Sequence, residues 1–343
     1  MTNRLTILQA LQYIIFGCAA LYFGRDVFIP ISFALLISFV LYPLVSWMEK
    51  KGLGRMTAII INVSLLTLIF IAIGLLLTKQ FVDFLKEWPT LQSKFNTTFT
   101  QLGETLGAYG ISRETQLNWA SKLSDETASG LMGLIQKTIS FSAFSLVMLI
   151  LIPVYAALIL YYRHIWVEVL VRLFPAEKKE NIKEILTLSI QAYYNFIKGM
   201  GLVYLAVGIL NSTGLLLLGV PHAILFGLIA SVLTFIPYVG IIVGSLLPIT
   251  MAWVTYDSIW YPVGIIAIFT FVQYLEANLI FPFAVSNRLN VNTLVMLIAI
   301  FAGGILWGVA GMILFVPFIG ILKLVADHNP ALKTLSIALG TGK

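Results

Sequence analysis

A chain of 343 residues in which 59% are apolar and only 10% charged, with a mean hydropathy of +0.97, excludes a soluble globular fold, where about 25% of residues are charged. The net charge of +6 does not point to nucleic acid, because Lys and Arg retained in cytoplasmic loops account for it. One cysteine, Cys18, excludes an internal disulfide and a thiolate metal cluster, and His164, His222 and His328 fit no local metal motif.

Apolar segments of about 20 residues, the length that crosses a hydrocarbon core of about 30 Å, recur along the chain. They predict an all-α, polytopic integral membrane protein with about eight transmembrane helices, some broken or re-entrant. The spans are roughly 6–23, 27–47, 56–78, 138–162, 199–219, 222–256, 258–282 and 293–325. The first follows Arg4 and resembles a signal peptide, with Gly17-Cys18 as a lipoprotein-like site, but it is long for one and Phe16 is bulky there, so it is read as a helix. The sixth and eighth are too long for one straight crossing, which predicts that each breaks in two.

Basic residues collect in the loop with Lys50, Lys51 and Arg55, after the fourth span from Arg163 to Lys198, and in the tail at Lys323, Lys333 and Lys343. That distribution predicts cytoplasmic termini in the inner membrane. The chain divides into an N-terminal three-helix membrane segment (1–78), an external helical insertion (79–137), the fourth span with a cytoplasmic amphipathic helix (138–198), a core transport region (199–326) and a cytoplasmic tail (327–343). In the insertion, Phe81, Phe84, Leu85 and Trp88 recur at helical spacing, and Gly107 and Gly110 end a second apolar run. This arm packs on itself or the bilayer surface, or on a neighbouring subunit of a homo-oligomer. In 163–198, Pro175 opens a helix whose stripe is Ile182, Ile185, Leu186, Ser189, Ile190, Tyr193 and Ile197. It covers the bundle, or levers a neighbouring span.

Between Lys198 and Lys323 the charged residues are Asp257, Glu276 and Arg288. Ionisable groups at membrane depth are costly and mark functional sites. Glu276 shares a helical face with Gln273, three residues earlier, and Asn278 follows. A carboxylate beside amides suits a cation or a proton, whereas a brace to Arg288 is the structural alternative. Asp257, among Trp253, Tyr256, Trp260 and Tyr261, is an interfacial residue. Pro237, Gly240, Gly244 and Pro248 punctuate an apolar run and predict an interrupted helix whose freed backbone lines a site, against a plain proline kink. Asn211-Ser212-Thr213 lines a path or bonds across helices. Gly304 and Gly308 form a close-packing face. No P-loop, His-Glu-x-x-His or Gly-x-Ser-x-Gly motif occurs, which leaves ATP drive and enzymatic activity unsupported, and no cofactor or bound metal is expected.

Phe196-Ile197-Lys198-Gly199, Leu218-Gly219-Val220-Pro221, Ile236-Pro237-Tyr238-Val239-Gly240, Gln273, Glu276, Asn278, Pro282, Gly303-Gly304-x-x-Trp307-Gly308-x-x-Gly311 and Val316-Pro317 together resemble the AI-2E family of bacterial permease-like proteins. The resemblance covers nearly the whole chain. It implies eight spans and a secondary transporter exporting a small hydrophilic solute such as autoinducer-2, or alternatively exchanging sodium or lithium for protons. A membrane scaffold is the reading from another class. Ala277 stands where glycine is usual, and Arg163-His164 replaces a Lys-Asp-like pair. The partners expected are the lipid bilayer and the small-molecule or ion substrate.

Overall fold

The structure, a computed structural model, describes residues 7–107, 142–172, 179–234, 239–256, 258–285 and 291–341. Among them every regular element is helical: α1 (Ile7–Phe23), α2 (Arg25–Lys50), α3 (Arg55–Gly107), α4 (Ser142–Tyr161), α5 (Arg163–Arg172), α6 (Lys179–Leu217), α7 (Ala223–Leu233), α8 (Val239–Thr255), α9 (Trp260–Leu275), a π-helical turn (Glu276–Ile280), α10 (Phe281–Val285), α11 (Thr293–Trp307), α12 (Val309–Asp327), a 3₁₀ turn (Pro330–Leu332) and α13 (Lys333–Leu339). Among the described residues, five stretches are long and apolar enough to cross a membrane, and α4 with α5 makes a sixth if that pair, bent by 64° at Tyr162, is one span. Leu65, Leu68, Phe70 and Leu75 on α3 and Ile266, Phe271 and Tyr274 on α9 are exposed, an apolar surface of the kind that faces lipid.

The chain forms two compact units. The first takes residues 1–69, 148–203 and 281–343. Its α2–α3–α4 core is Leu41, Val45, Ala58, Ile59, Val63 and Leu160. Ser38 Oγ, on α2, donates to the carbonyls of Ala34 and Ala156 at 2.6 and 3.2 Å, which ties α2 to α4. The backbone turns at Gly24, between α1 and α2, and the Leu21 carbonyl there accepts from Trp307 Nε1 at 2.8 Å. At the other end of α2, Glu49 pairs with Arg163 and lies 3.7 Å from Arg55. Arg55 also contacts His164 Nε2 at 2.9 Å. Since guanidinium only donates, that ring nitrogen accepts and carries no proton. Arg163 and His164 are thus both matched by partners on α2 and α3.

The second unit takes residues 70–147 and 204–280. Its core is Leu215, Val220, Ala223, Leu225, Phe226, Ala230, Met251, Ala252, Ile265 and Phe269. Tyr256 stacks on Tyr261 at 3.8 Å and donates to the Gly219 carbonyl, while Trp260 is exposed, an arrangement suited to the interfacial belt.

Several expectations change in detail. The third helix does not stop near 78 but continues unbroken to Gly107. The rest of the insertion and the side chains of its apolar stripe lie outside the described residues, as does Pro175. The amphipathic helix and the fifth span are one helix, α6, because isolated glycines such as Gly199 and Gly201 do not break a helix that packing supports. Of its expected stripe, Ser189 and Tyr193 are buried and Ile182, Ile185, Leu186, Ile190 and Ile197 half-buried, while Lys183 and Glu184 are exposed. Pro248 sits inside α8 without ending it.

Both long segments break in two. α7 has 11 residues, about half the length a crossing needs, and it packs on α8. An added Cβ at Gly240 would fall 1.8 Å from the Leu233 carbonyl oxygen, and at Gly244 2.9 Å from Ala230 Cα. α11 and α12 fold back on each other about Gly308, whose φ of 61° belongs to glycine. The close approach there is between Gly303 and Gly311: a Cβ on either falls within 2.4 Å of the other's carbonyl oxygen. Gly304 and Gly308 do not form the expected face, since Gly304 meets Met312 and nothing lies within 4 Å of a Cβ at Gly308.

Candidate functional site

The charge-poor region places Glu276 at the junction of α9 and the π-helical turn. Pro282 has no N–H to give the Asn278 carbonyl, and its ring crowds that turn. A wider register just upstream is one way a helix absorbs such a defect, and single π turns recur at functional sites. Glu276 is nevertheless buried, with 8% of its surface exposed.

What surrounds it is drawn from four helices of the second unit. Val207 and Asn211 on α6, Ala230 and Thr234 on α7, Ile241 on α8, and Phe269, Val272, Gln273 and Glu276 on α9 line one cavity of about 10 Å³, close to the space one water needs. The residues from α6, from α7 and from α9 into the π-helical turn fall at i, i+3/i+4 or i+7 spacing, so one face of each converges there, and α8 adds Ile241. Two oxygens of these lining residues, Glu276 Oε2 and Asn211 Oδ1, are buried and have no hydrogen-bond partner. Thr234 Oγ1 donates to the Ala230 carbonyl at 2.9 Å and keeps its lone pairs. Tyr204 lies close enough for its hydroxyl to interact electrostatically with Glu276. Unsatisfied buried acceptors cost free energy. Together with an apolar wall, they make a small, oxygen-rich site suited to a proton or a small cation.

The sequence profile of the AI-2E family transporters matches residues 11–330. The chain belongs to that family. Among curated relatives it is 26% identical to "Putative transport protein YrrI" of Bacillus subtilis (strain 168), over 90% of this chain and 88% of the relative. It is 22% identical to "Putative transport protein YhhT" of Escherichia coli (strain K12), over 98% and 95%. It is 27% identical to "Putative transport protein YueF" of Bacillus subtilis (strain 168), over 88% and 84%. As a member of a transporter family with several long apolar helices, it is a multi-pass membrane protein, and its family supports a transport function.

Within this AI-2E chain the predicted site residues separate. Glu276, Gln273 and Asn211 come together at the cavity. Asn278 does not: it is exposed, and its Nδ2 donates to the Tyr274 carbonyl of its own helix at 2.9 Å. Gly240 and Gly244 do not line this cavity but carry the α7–α8 contact. Ser212 serves packing, with its Oγ against the Ile224 carbonyl at 3.5 Å and its backbone against Gly227. Pro237, Asp257 and Arg288 lie outside the described residues. Thr234 and Tyr204 were not singled out from sequence. Tyr204 is two helical turns before Asn211 on the same face, a signal the sequence did carry. Thr234 reaches the cavity only because α7 folds back, which no spacing encodes.

Proposed function

We propose that the chain is a secondary transporter of the cytoplasmic membrane, with both termini cytoplasmic, in which Glu276 takes up and releases a proton or small cation as the protein alternates access. The observation that carries the reading is the buried carboxylate oxygen of Glu276, without a hydrogen-bond partner, in a cavity shared with Asn211. An uncompensated carboxylate at membrane depth costs about 3 kcal/mol, so its retention fits a group that is neutralised in turn by a proton and a cation. The volume of about 10 Å³ favours cation/proton exchange over direct binding of an organic solute at this point. Family membership favours a second reading, export of a small hydrophilic solute such as autoinducer-2, with Glu276 carrying the coupling proton.

Glu276→Gln keeps size and most hydrogen bonding while removing the titratable charge. In sealed vesicles with imposed proton, sodium or lithium gradients, it should lower gradient-coupled flux at least tenfold, while expression and thermal stability stay near wild type. A well-folded Glu276→Gln protein with unchanged flux overturns the proposal. So does equal loss of stability in Glu276→Gln and Arg288→Gln, which marks a structural brace.

A further inference from the structure

A larger cavity lies in the first unit, between the N-terminal half of α6 and the C-terminal half of α12. Its volume is about 100 Å³, and Ser189, Tyr193, Gly320, Lys323, Asp327 and His328 are among its lining residues. That is roughly two-thirds of the ~150 Å³ that accommodates benzene, room for a solute of a few heavy atoms. Three of its polar residues are built into the core: Ser189, Tyr193 and Lys323 are 4%, 6% and 8% exposed. A cavity with this many polar groups does not stay dry.

The charges in the lining decide what can enter. Lys323 Nζ donates to Asp327 Oδ1, one helical turn on, and Asp327 accepts a second bond from Ser336 Oγ of α13. The pair therefore cancels its own charge and is held from outside the cavity by the tail. The tail is fixed in turn by Asn292, whose Nδ2 donates to the carbonyls of Ala338 and Gly340 at 2.9 and 3.1 Å. An anion would have to compete with Asp327 for Lys323, and a cation would meet the ammonium. A zwitterion would gain only by separating the pair, which leaves part-buried charges exchanging one partner for another. His328 Nδ1 already bonds the Leu324 carbonyl at 2.9 Å, and since a carbonyl only accepts, this nitrogen donates, which leaves Nε2 for a further hydrogen bond, as an acceptor in the neutral ring. The hydroxyls of Ser189 and Tyr193 can each donate and accept.

We propose that this α6–α12 cavity is a binding site for a small, uncharged, hydroxyl-rich solute. The solute hydrogen-bonds to Ser189, Tyr193 and His328 and leaves the Lys323–Asp327 pair intact. The site shares no residue with the Glu276 cavity and does not rest on the role of Glu276.

The test uses the full chain in lipid nanodiscs and ligand-observed saturation-transfer NMR, with glycerol, acetate, ethylamine and glycine as separate probes. Glycerol should show transfer, and Ser189→Leu, which fills the space without touching the pair, should weaken its binding at least tenfold. Tyr193→Phe keeps the ring and its packing and should weaken it severalfold, which serves if the leucine variant does not fold. Glu276→Gln should leave glycerol binding unchanged. No transfer to glycerol in the wild type overturns the proposal. So does tighter binding of acetate, ethylamine or glycine than of glycerol, or a signal indifferent to both the Ser189 and Tyr193 variants.

Discussion

Glu276, just past the end of α9, and Asn211, on α6, line the same small cavity, and each carries a buried oxygen without a hydrogen-bond partner. Each of these acceptors is desolvated without compensation. A proton or a cation placed there relieves both.

The pair should behave as one unit. Asn211→Leu, which removes the amide oxygen and fills the space, should lower the apparent affinity for the coupling ion about tenfold in vesicle flux. Groups sharing a ligand are not additive, so combining Asn211→Leu with Glu276→Gln should cost little beyond the single Glu276→Gln change. Fully additive losses would separate the two residues functionally.

The α11–α12 hairpin depends on backbone approach, and its glycines should rank by what a methyl group meets. Gly311→Ala places a Cβ 1.9 Å from the Gly303 carbonyl oxygen and should cost about 1–3 kcal/mol by overpacking. Gly308→Ala forces a left-handed φ on alanine and should cost about 1–3 kcal/mol through backbone strain. Gly304→Ala meets only the flexible end of Met312 and should be the mildest. Thermal melts of the detergent-solubilised variants check the order, with Gly304→Ala least affected.

Arg163 joins α5 to the end of α2 through Glu49, and it also lies over the Tyr42 ring, 5.2 Å from its centroid. Their side chains are 15% and 21% exposed, so losing one partner strands a half-desolvated charge. Arg163→Gln should destabilise by about 1–3 kcal/mol. The double change with Glu49→Gln should recover part of that loss, because the more buried charge of Glu49 is removed and the Arg55 guanidinium it also faces is 42% exposed and stays in water. A double variant as unstable as the sum of its parts would place the contribution of Arg163 elsewhere.

The uneven placement of Lys and Arg predicts a topology that labelling can test. Single cysteines near 180 and 335, introduced after replacing Cys18, should react with a membrane-impermeant maleimide only in permeabilised cells, whereas one near 100 should react in intact cells. External labelling at 180 reverses the orientation.

Much of the architecture is legible in the sequence because its cause is local. Apolar length, sparse charge and Lys/Arg placement report on solvent, and solvent acts on each segment separately. Hence the membrane class, the helices, the breaks within 222–256 and 293–325, and the isolation of the Glu276 carboxylate in apolar sequence could be read one segment at a time. The punctuation near Pro237 and at Gly308 marked where helices fail, since proline lacks a donor and glycine admits conformations other residues avoid.

What only tertiary structure decided is which of those features meet. Gly240 and Gly244 read as exposed backbone at a site, but α7 folds back and packs its own backbone over them. Asn278 adjoins Glu276 in sequence, yet it is exposed and bonds its own helix. Asn211 and Thr234, tens of residues away, line the cavity instead. The division has one physical reason. Burial in lipid is a property of a segment's own side chains, whereas a site is made by the faces that helix packing brings together, and the same apolar stripes would permit many pairings.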